Sequence, residues 1–214
     1  MGAGEPRPLL IFPCNGNGLE ALQCLGDKFQ CIGFVDDALE KQGLIWHGYP
    51  VFSRTALTEF QDAQVLAIPG GATSFRSRNE VIEGLGVNIE RFACVIHPAA
   101  SLSPLATIGY NVLIMAGVVI TSNGVIGNHV CILSNTVVHH DVTIGDWSLI
   151  GSNVTIAGGT RVDDACYIAS GASIRNGLHI GTRAMIGLGT NLINNVPSSA
   201  TVLGNYARPI GLWP

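Results

Sequence analysis

The sequence predicts a small α/β domain over residues 1–95, followed by a parallel β-helix over residues 96–214. Three observations carry this prediction. A strand, a glycine-bearing loop and a helical run open the chain, an aliphatic residue then recurs every six positions, and these sixes group into a longer repeat of 18. Repeats of this kind indicate stacked coils, because each repeat buries its apolar side only against the next.

The six-residue repeat runs from Ile96 to Leu192, and all seventeen of its positions are Ile, Leu or Val. The residue four places after each of these anchors is mostly small, as at Ala100 and Ala172. A period of six fits neither a helix nor a simple alternating strand. It is typical of a triangular prism in which every flat face contributes one inward aliphatic residue. The alternative, a sandwich of short strands, predicts irregular spacing.

The longer repeat is marked by Ile-Gly pairs that begin at positions 108, 126, 144 and 180. Three hexads therefore form one coil of 18 residues, with anchors stacked in columns about 4.8 Å apart. Known hexapeptide prisms wind left-handed, against the usual preference for right-handed crossovers. From that resemblance we expect a left-handed β-helix.

The first 95 residues predict a βαβ arrangement. Leu9–Phe12 is an apolar strand, a glycine-bearing loop follows, and residues 19–25 form a helical run. The next strand, Cys31–Val35, ends at Asp36 and Asp37. This order of strand, glycine loop, helix, strand and acid is typical of nucleotide-binding domains.

In such a domain the glycines let the backbone approach a diphosphate, and the strand-tip acid accepts hydrogen bonds from a ribose or a base. Six residues are therefore candidate substrate contacts: Asn15, Gly16, Asn17, Gly18, Asp36 and Asp37. The chain has no complete G-x-G-x-x-G motif in this loop. A glycine-rich turn with a solvated acidic loop, and no ligand, is the alternative interpretation.

Composition narrows the class of partner. The 214 residues are 47% hydrophobic and 12% charged, with a formal net charge of −4. Weakly charged flat faces predict self-association, and the acidic balance argues against nucleic acid or anionic membrane. Because no apolar run approaches about 18 residues and no signal-peptide pattern opens the chain, we expect a cytoplasmic protein. The six cysteines are scattered without a CxxC pair, which predicts reduced thiols and no metal site.

One polar cluster interrupts the regular hexads: His139, His140 and Asp141. Residues just after an anchor lie at a coil corner and project outward, so His140 is a candidate general base. A neutral imidazole suits that task, and Asp141 would orient it. His139 points in another direction and is interpreted as a surface residue. The alternative for the whole cluster is a solvated corner without chemistry.

These motifs resemble one family across essentially the whole chain. The βαβ module, the HPAA sequence at 97–100, the unbroken hexads, the NTxxxHD-like stretch 135–141 and a terminal GNYARPI at 204–210 carry the resemblance. The chain is similar to bacterial nucleotide-amino-sugar N-acetyltransferases of glycan, O-antigen and lipopolysaccharide biosynthesis, which are related to sialic-acid O-acetyltransferases.

The resemblance implies a homotrimer with its active sites between adjacent prisms. The expected activity is acetyl-CoA-dependent transfer to the amine of a nucleotide-linked sugar, taken as a UDP-4-amino-4,6-dideoxy sugar. His140 matches the family's base and Asp141 the acid that orients it. Gly16 and Gly18 match residues near the diphosphate, and Asp36 and Asp37 match residues near the base or ribose. Four further residues match positions beside the coenzyme: Leu149, Gly158, Ser170 and Leu188.

Two departures from the family pattern concern substrate and chemistry. Asn17 stands where many members have a loop histidine. Leu149 stands where many have a second histidine that contacts the thioester carbonyl. Two rival functions stay open. One is acetyl transfer to a GDP- or dTDP-amino sugar or to a hydroxyl, and the other is a non-catalytic trimeric scaffold.

Overall fold

The computed structural model describes residues 5–204 of the protein. The terminal stretch from Asn205 onward, which contributes to the predicted family resemblance, lies outside the described residues. The first part of the chain forms β1 (Arg7–Phe12), α1 (Gly16–Ala21), β2 (Phe29–Val35), β3 (Ile45–Trp46), β4 (Tyr49–Phe52), α2 (Ala56–Glu59), β5 (Gln64–Ala67) and α3 (Arg78–Glu83). Short 3₁₀ turns cover Leu22–Cys24, Phe75–Ser77 and Ile89–Arg91.

The strands of the first part form one sheet in the order β3-β4-β2-β1-β5. Only β3 and β4 pair antiparallel, whereas β1 pairs parallel with both β2 and β5. The last four residues of β1 are buried, as expected for a central parallel strand covered on both sides. Helix α1 begins at Gly16, three residues before the predicted helical run. It does so because Asn15 caps it, its Oδ1 accepting from Gly18 N at 2.8 Å.

The second part consists of two-residue strands: β6 (Val95–Ile96), β7 (Ser101–Leu102), β8 (Thr107–Ile108), β9 (Leu113–Ile114), β10 (Val119–Ile120), β11 (Val125–Ile126), β12 (Cys131–Ile132), β13 (Val137–Val138), β14 (Thr143–Ile144), β15 (Leu149–Ile150), β16 (Thr155–Ile156), β17 (Arg161–Val162), β18 (Tyr167–Ile168), β19 (Ser173–Ile174), β20 (His179–Ile180), β21 (Met185–Ile186), β22 (Asn191–Leu192) and β23 (Thr201–Val202).

These strands stack into the three faces of a left-handed β-helix, as predicted. Face A contains β6, β9, β12, β15, β18, β21 and β23. Face B contains β7, β10, β13, β16, β19 and β22, and face C contains β8, β11, β14, β17 and β20. Strands on faces B and C pair parallel with the strand 18 residues away, as Val138 pairs with Ile156. The chain runs through the A–B, B–C and C–A corners in turn.

The interior of the prism is aliphatic, with a few small polar residues near the corners. Anchors such as Ile132, Ile150 and Ile168 are fully buried in one continuous core. Thr136 is buried among them, and its hydroxyl donates to the Gly151 carbonyl at 2.7 Å while accepting from Val154 N at 3.1 Å. Burying this hydroxyl therefore costs little free energy, because both of its hydrogen bonds are made inside the prism.

The two parts of the chain share a core along face A. Outward residues of that face, among them Leu113 and Leu149, pack in one buried cluster with β1 and β2 side chains. At the C–A corner, Asn111 exchanges two hydrogen bonds with the Ala67 backbone, each 2.8 Å long. The predicted boundary at residue 95 stays a prediction, since the buried cluster extends across it. Within residues 5–204, no helix is long and apolar enough to cross a membrane.

Buried Arg78 adds a second tie between the parts. Its Nε donates to the Trp147 carbonyl at 2.9 Å, one terminal nitrogen donates to the His129 carbonyl at 2.6 Å, and the other to the Pro69 carbonyl. Burial lowers the pKa of this guanidinium to about 10. Arg78 therefore stays charged at neutral pH, held by carbonyl dipoles of both parts.

Candidate active site

His140 and Asp141 lie on the B–C corner, directly after β13. Their side chains are 66% and 56% exposed, so both are open to a substrate. His140 Nδ1 lies 2.7 Å from Asp141 Oδ2. The neighbouring His139 is half-buried and takes no part in this bond. The structure thus pairs the predicted base with the predicted orienting acid.

Asp141 is itself held from the preceding coil. Asn123 Nδ2 donates to Asp141 Oδ1 at 2.9 Å. This amide bond, and then the bond to His140, lower the pKa of the Asp141 carboxyl. An ionised carboxylate can only accept, so Nδ1 of His140 carries a proton, and in the neutral ring the lone pair is therefore on Nε2. That is the tautomer a general base requires.

Gly158 lies directly against the imidazole, one coil after His140. A Cβ built on Gly158 would lie 2.6 Å from both Cε1 and Nε2 of His140. Only a residue without a side chain lets the ring occupy this position. Of the four coenzyme candidates, Gly158 is the one that the structure places beside the predicted base.

The four candidates of the first loop differ in exposure and in whether their side chains are already hydrogen-bonded. Asn15 uses its side chain to cap α1, and Gly18 is buried, where a Cβ would lie 2.7 Å from the Pro13 carbonyl oxygen. Gly16 is exposed with open space around its Cα, and Asn17 is half-buried. Gly16 and Asn17 therefore present the accessible surface of this loop, and their contact with a diphosphate stays a prediction.

Asp36 and Asp37 also have separate surroundings. Asp36 is buried, and its carboxylate accepts from Cys14 N, Ala38 N and Lys41 Nζ, each at 2.9 Å. Asp36 thereby ties the end of β2 to the first loop. Asp37 is half-exposed and makes a bidentate ion pair with Arg54, whose Nε lies 2.6 Å from Oδ1 and whose Nη2 lies 2.8 Å from Oδ2. The expected contacts of both acids with a base or ribose stay predictions.

Lys41 is a residue of this region that sequence reasoning missed. Its ammonium bridges Asp36 and the Cys14 carbonyl, which it reaches at 2.8 Å. Beside it lies a largely apolar cavity of about 160 Å³, lined by Cys14, Lys41, Leu44, Ile45, Trp46 and Val51. A lysine five residues after the strand-tip acid, with Leu-Ile-Trp beginning three residues later, is the signal that could have found it.

The A–B corner carries two further cavities. A polar one of about 270 Å³ lies between the end of α1 and the first coils, with Glu20, His97, Ser134 and Ser152 among its lining residues. An apolar one of about 320 Å³ lies along the later coils and is lined in part by Tyr167, Met185 and Leu188.

Ser170 and Leu188 both belong to this A–B corner. Ser170 is half-buried, and its hydroxyl accepts from Ser152 N at 3.1 Å, which places it beside the polar cavity. Leu188 is 74% exposed and lines the apolar cavity. Leu149 differs, since it is 4% exposed and packs in the shared core on face A close to Gly70. The Leu149 side chain is therefore not accessible to a ligand on the surface of a single chain.

The candidates thus fall into two groups on different corners of one chain. His140, Asp141 and Gly158 form the B–C group, while Ser170 and Leu188 lie at the A–B corner near the polar cavity and α1. Among the residues that the structure describes, no three His, Cys, Asp or Glu side chains are grouped to hold a metal ion.

Comparisons with known proteins agree with this architecture. A family model, the GMPPB C-terminal domain, matches residues 91–188. No match was found among curated proteins. Among solved structures, the acetyltransferase domain of PglB from Neisseria gonorrhoeae, in complex with acetyl coenzyme A, is 26% identical with a TM-score of 0.80. The match covers 96% of this chain and 100% of that one.

Two further structures match with both parts of the chain. WeeI from Acinetobacter baumannii is 26% identical with a TM-score of 0.80, covering 94% of this chain and 98% of that one. PerB from Caulobacter crescentus, in complex with CoA and GDP-perosamine, is 25% identical with a TM-score of 0.79, covering 94% and 95%. The chain resembles bacterial nucleotide-amino-sugar N-acetyltransferases. The resemblance predicted from the sequence is confirmed, and the sugar N-acetyltransferase architecture extends over both parts of the chain.

Proposed function

We propose that the protein is an acetyl-CoA-dependent N-acetyltransferase acting on a nucleotide-linked amino sugar, with His140 as its general base. The observation that carries this proposal is the oriented imidazole on the B–C corner, whose Nδ1 is held by Asp141 at 2.7 Å. The prediction of an enzyme that uses acetyl-CoA is confirmed by similar enzymes that hold CoA or acetyl-CoA. The cytoplasmic location expected from the sequence stays a prediction.

In this mechanism His140 moves one proton. Its Nε2 takes the proton that the sugar amine loses as the amine nitrogen attacks the thioester carbonyl carbon. When the carbon–sulfur bond breaks, the imidazolium gives that proton to the departing sulfur. The products are the N-acetylated sugar nucleotide and CoA with a free thiol. Asp141 stabilises the imidazolium in between, as an ionised carboxylate next to a positive charge does.

The separation of the two groups of candidates supports a site shared between copies of the chain. The B–C corner has the imidazole that Asp141 holds but neither of these two cavities. The A–B corner has both cavities, but its histidine, His97, bonds to the Ala99 backbone and not to a carboxylate. A neighbouring copy that places its B–C corner against this A–B corner would complete the site. A closed ring of three copies, as expected from the family resemblance, provides three such sites.

Mixing two inactive variants tests the shared site. His140→Asn removes the base, and Leu188→Asp places a carboxylate in the apolar cavity on the other corner. Trimers assembled randomly from equal amounts of both should regain roughly a quarter of wild-type activity, because one interface in each mixed trimer joins two intact halves. No regain of activity in the mixture, although mixed trimers are detected by native mass spectrometry, would contradict a shared site.

The sugar nucleotide is the part of the sequence prediction that needs revision. The family resemblance implies a UDP sugar, but that specificity is not confirmed, and a GDP sugar fits better because PerB was solved with GDP-perosamine. We therefore take a GDP-linked amino sugar as the first candidate and a UDP-linked one as the second. A panel of GDP-, UDP- and dTDP-amino sugars, each incubated with acetyl-CoA, ranks them by the rate of thiol release. Matched sugars that carry a hydroxyl in place of the amine test O-acetylation.

The base assignment is tested with the best substrate of that panel. His140→Asn should lower kcat by about 10²- to 10⁴-fold, the usual contribution of a positioned general base. His139→Asn is the matched control, because it changes the adjacent histidine, which takes no part in the bond to Asp141. Near-normal turnover of His140→Asn would show that His140 is a solvated corner residue. Absence of thiol release with every sugar would favour the scaffold.

A further inference from the structure

Asn123 and Asp141 occupy equivalent places one coil apart. Both are the third residue of the B–C corner, and both have left-handed backbones with φ of 58°. Asparagine and aspartate tolerate this conformation better than most residues. In the following coil Gly159 takes the same position with φ of 67°. The register of 18 therefore stacks the Asn123 amide directly on the Asp141 carboxylate.

The two oxygens of Asp141 have separate partners. Oδ1 accepts from Asn123 Nδ2 at 2.9 Å, and Oδ2 lies 2.7 Å from His140 Nδ1. Asp141 is more than half exposed, so its side chain is free to rotate away unless something holds it. A donor on the preceding coil holds one oxygen and thereby aims the other at the imidazole.

We propose that Asn123 is a positioning residue, which fixes the Asp141 carboxylate and through it the His140 imidazole in the orientation that proton transfer requires. This inference rests on the proposed function, in which His140 is the base. Asn123 itself touches neither substrate nor reacting atoms in this scheme. It acts only through the carboxylate.

The electrostatics of the corner agree with this role. The Asn123 amide is the largest cause that lowers the pKa of Asp141, followed by the His140 ring. The preceding coil presents Ser122 and Asn123 to this corner and the following coil presents Gly158 and Gly159, none of which is ionisable. His140 and Asp141, with His139 beside them, are thus the titratable groups here.

A double-mutant cycle separates positioning from a general structural role. Asn123→Gly removes the side chain and keeps a backbone that glycine already adopts at this place one coil beyond Asp141. It should lower kcat about tenfold, with both KM values unchanged within about twofold, the expected effect of losing one charge-assisted hydrogen bond. In the Asp141→Asn background the same change should have almost no further effect, because the carboxylate that it positions is gone.

A control and a second variant keep the test decisive. Arg183→Gly, at an exposed left-handed position with φ of 62° on the C–A corner, which is not part of the proposed site, should leave kcat unchanged. Asn123→Asp preserves the shape of the side chain but replaces the donor by a carboxylate, and should lower kcat at least as much as Asn123→Gly. Melting temperatures of all variants report whether the fold is intact.

The outcomes distinguish this inference from the proposed function. Equal losses of kcat from Asn123→Gly in the wild-type and Asp141→Asn backgrounds would assign Asn123 a structural role and overturn the inference. The same holds if His140→Asn is inactive but Asn123→Gly and Asn123→Asp both turn over normally. If His140→Asn is itself fully active, the base assignment fails first and the positioning role fails with it.

Discussion

Gly158→Ala tests whether the position of the imidazole matters as much as its presence. The new Cβ would lie 2.6 Å from Cε1 and Nε2 of His140, whereas ordinary contacts begin at 3.4 Å. The ring must therefore recede by about 0.8 Å. Since Nδ1 lies only 2.7 Å from Asp141 Oδ2, a ring that recedes this far lengthens or breaks that hydrogen bond.

The expected loss is large for activity and small for stability. A displacement of about 1 Å in a reacting group costs on the order of 10²-fold in rate, so we expect kcat to fall by about that factor. The fold should tolerate the change, because the imidazole is exposed and free to swing outward. Steady-state kinetics with both substrates and a thermal melt measure the two effects.

Gly159→Ala is the matched control for this prediction. It adds the same methyl group one residue later, where a Cβ would meet nothing within 4 Å, although its φ of 67° makes alanine strained. It should lose some stability, about 1 kcal/mol, and keep its turnover. An unchanged kcat in Gly158→Ala would refute the reasoning. A rise in the KM for acetyl-CoA alone would instead identify Gly158 as a coenzyme contact.

Three further predictions concern stability and substrate binding. Arg78→Met should lower the free energy of unfolding by about 3 to 5 kcal/mol in urea titrations, because three carbonyls lose their charged donor, whereas Arg76→Met on the exposed turn should have little effect. Burial, with the Arg78 guanidinium adding to it, lowers the pKa of His129 to about 4, so below about pH 6.5 the unfolded chain binds a proton that the folded chain does not. The free energy of unfolding should therefore fall by about 2 kcal/mol from pH 7 to pH 5, and His129→Phe should remove that part of the fall. Asp36→Asn should raise the KM for the sugar nucleotide and leave that for acetyl-CoA unchanged, and equal effects on both would contradict a role of the first loop in substrate binding.

The prism could be predicted almost residue by residue because its six-residue repeat can be read directly from the sequence. Every anchor from Ile96 to Leu192 occupies the second place of a two-residue strand. Because Val138 is such an anchor, the position of the anchors within the strands already places His140 on a corner and predicts that its side chain points outward. The same repeat aligns Asn123 with Asp141, but the choice of side-chain rotamer that joins them depends on three-dimensional packing, which the repeat does not encode.

Contacts between the two parts were harder to predict, because they join residues far apart in sequence. Arg78 reaches the carbonyls of His129 and Trp147, 51 and 69 residues away. A partial signal does exist, since the outward residues of face A, such as Leu113, Leu149 and Met185, are apolar, whereas face C presents Thr143, Arg161 and His179. That contrast indicates which face is covered, although it does not indicate by what.

The shared core along face A limits how this enzyme can be rebuilt by recombination. An α/β part taken from a relative would meet the outward side chains of face A and the Asn111 amide that pairs with the Ala67 backbone. A functional chimera therefore has to carry those prism residues with the graft, even though their places in the sequence lie beyond the junction. Point substitutions around the first loop should consequently disturb the fold less than exchange of the whole α/β part.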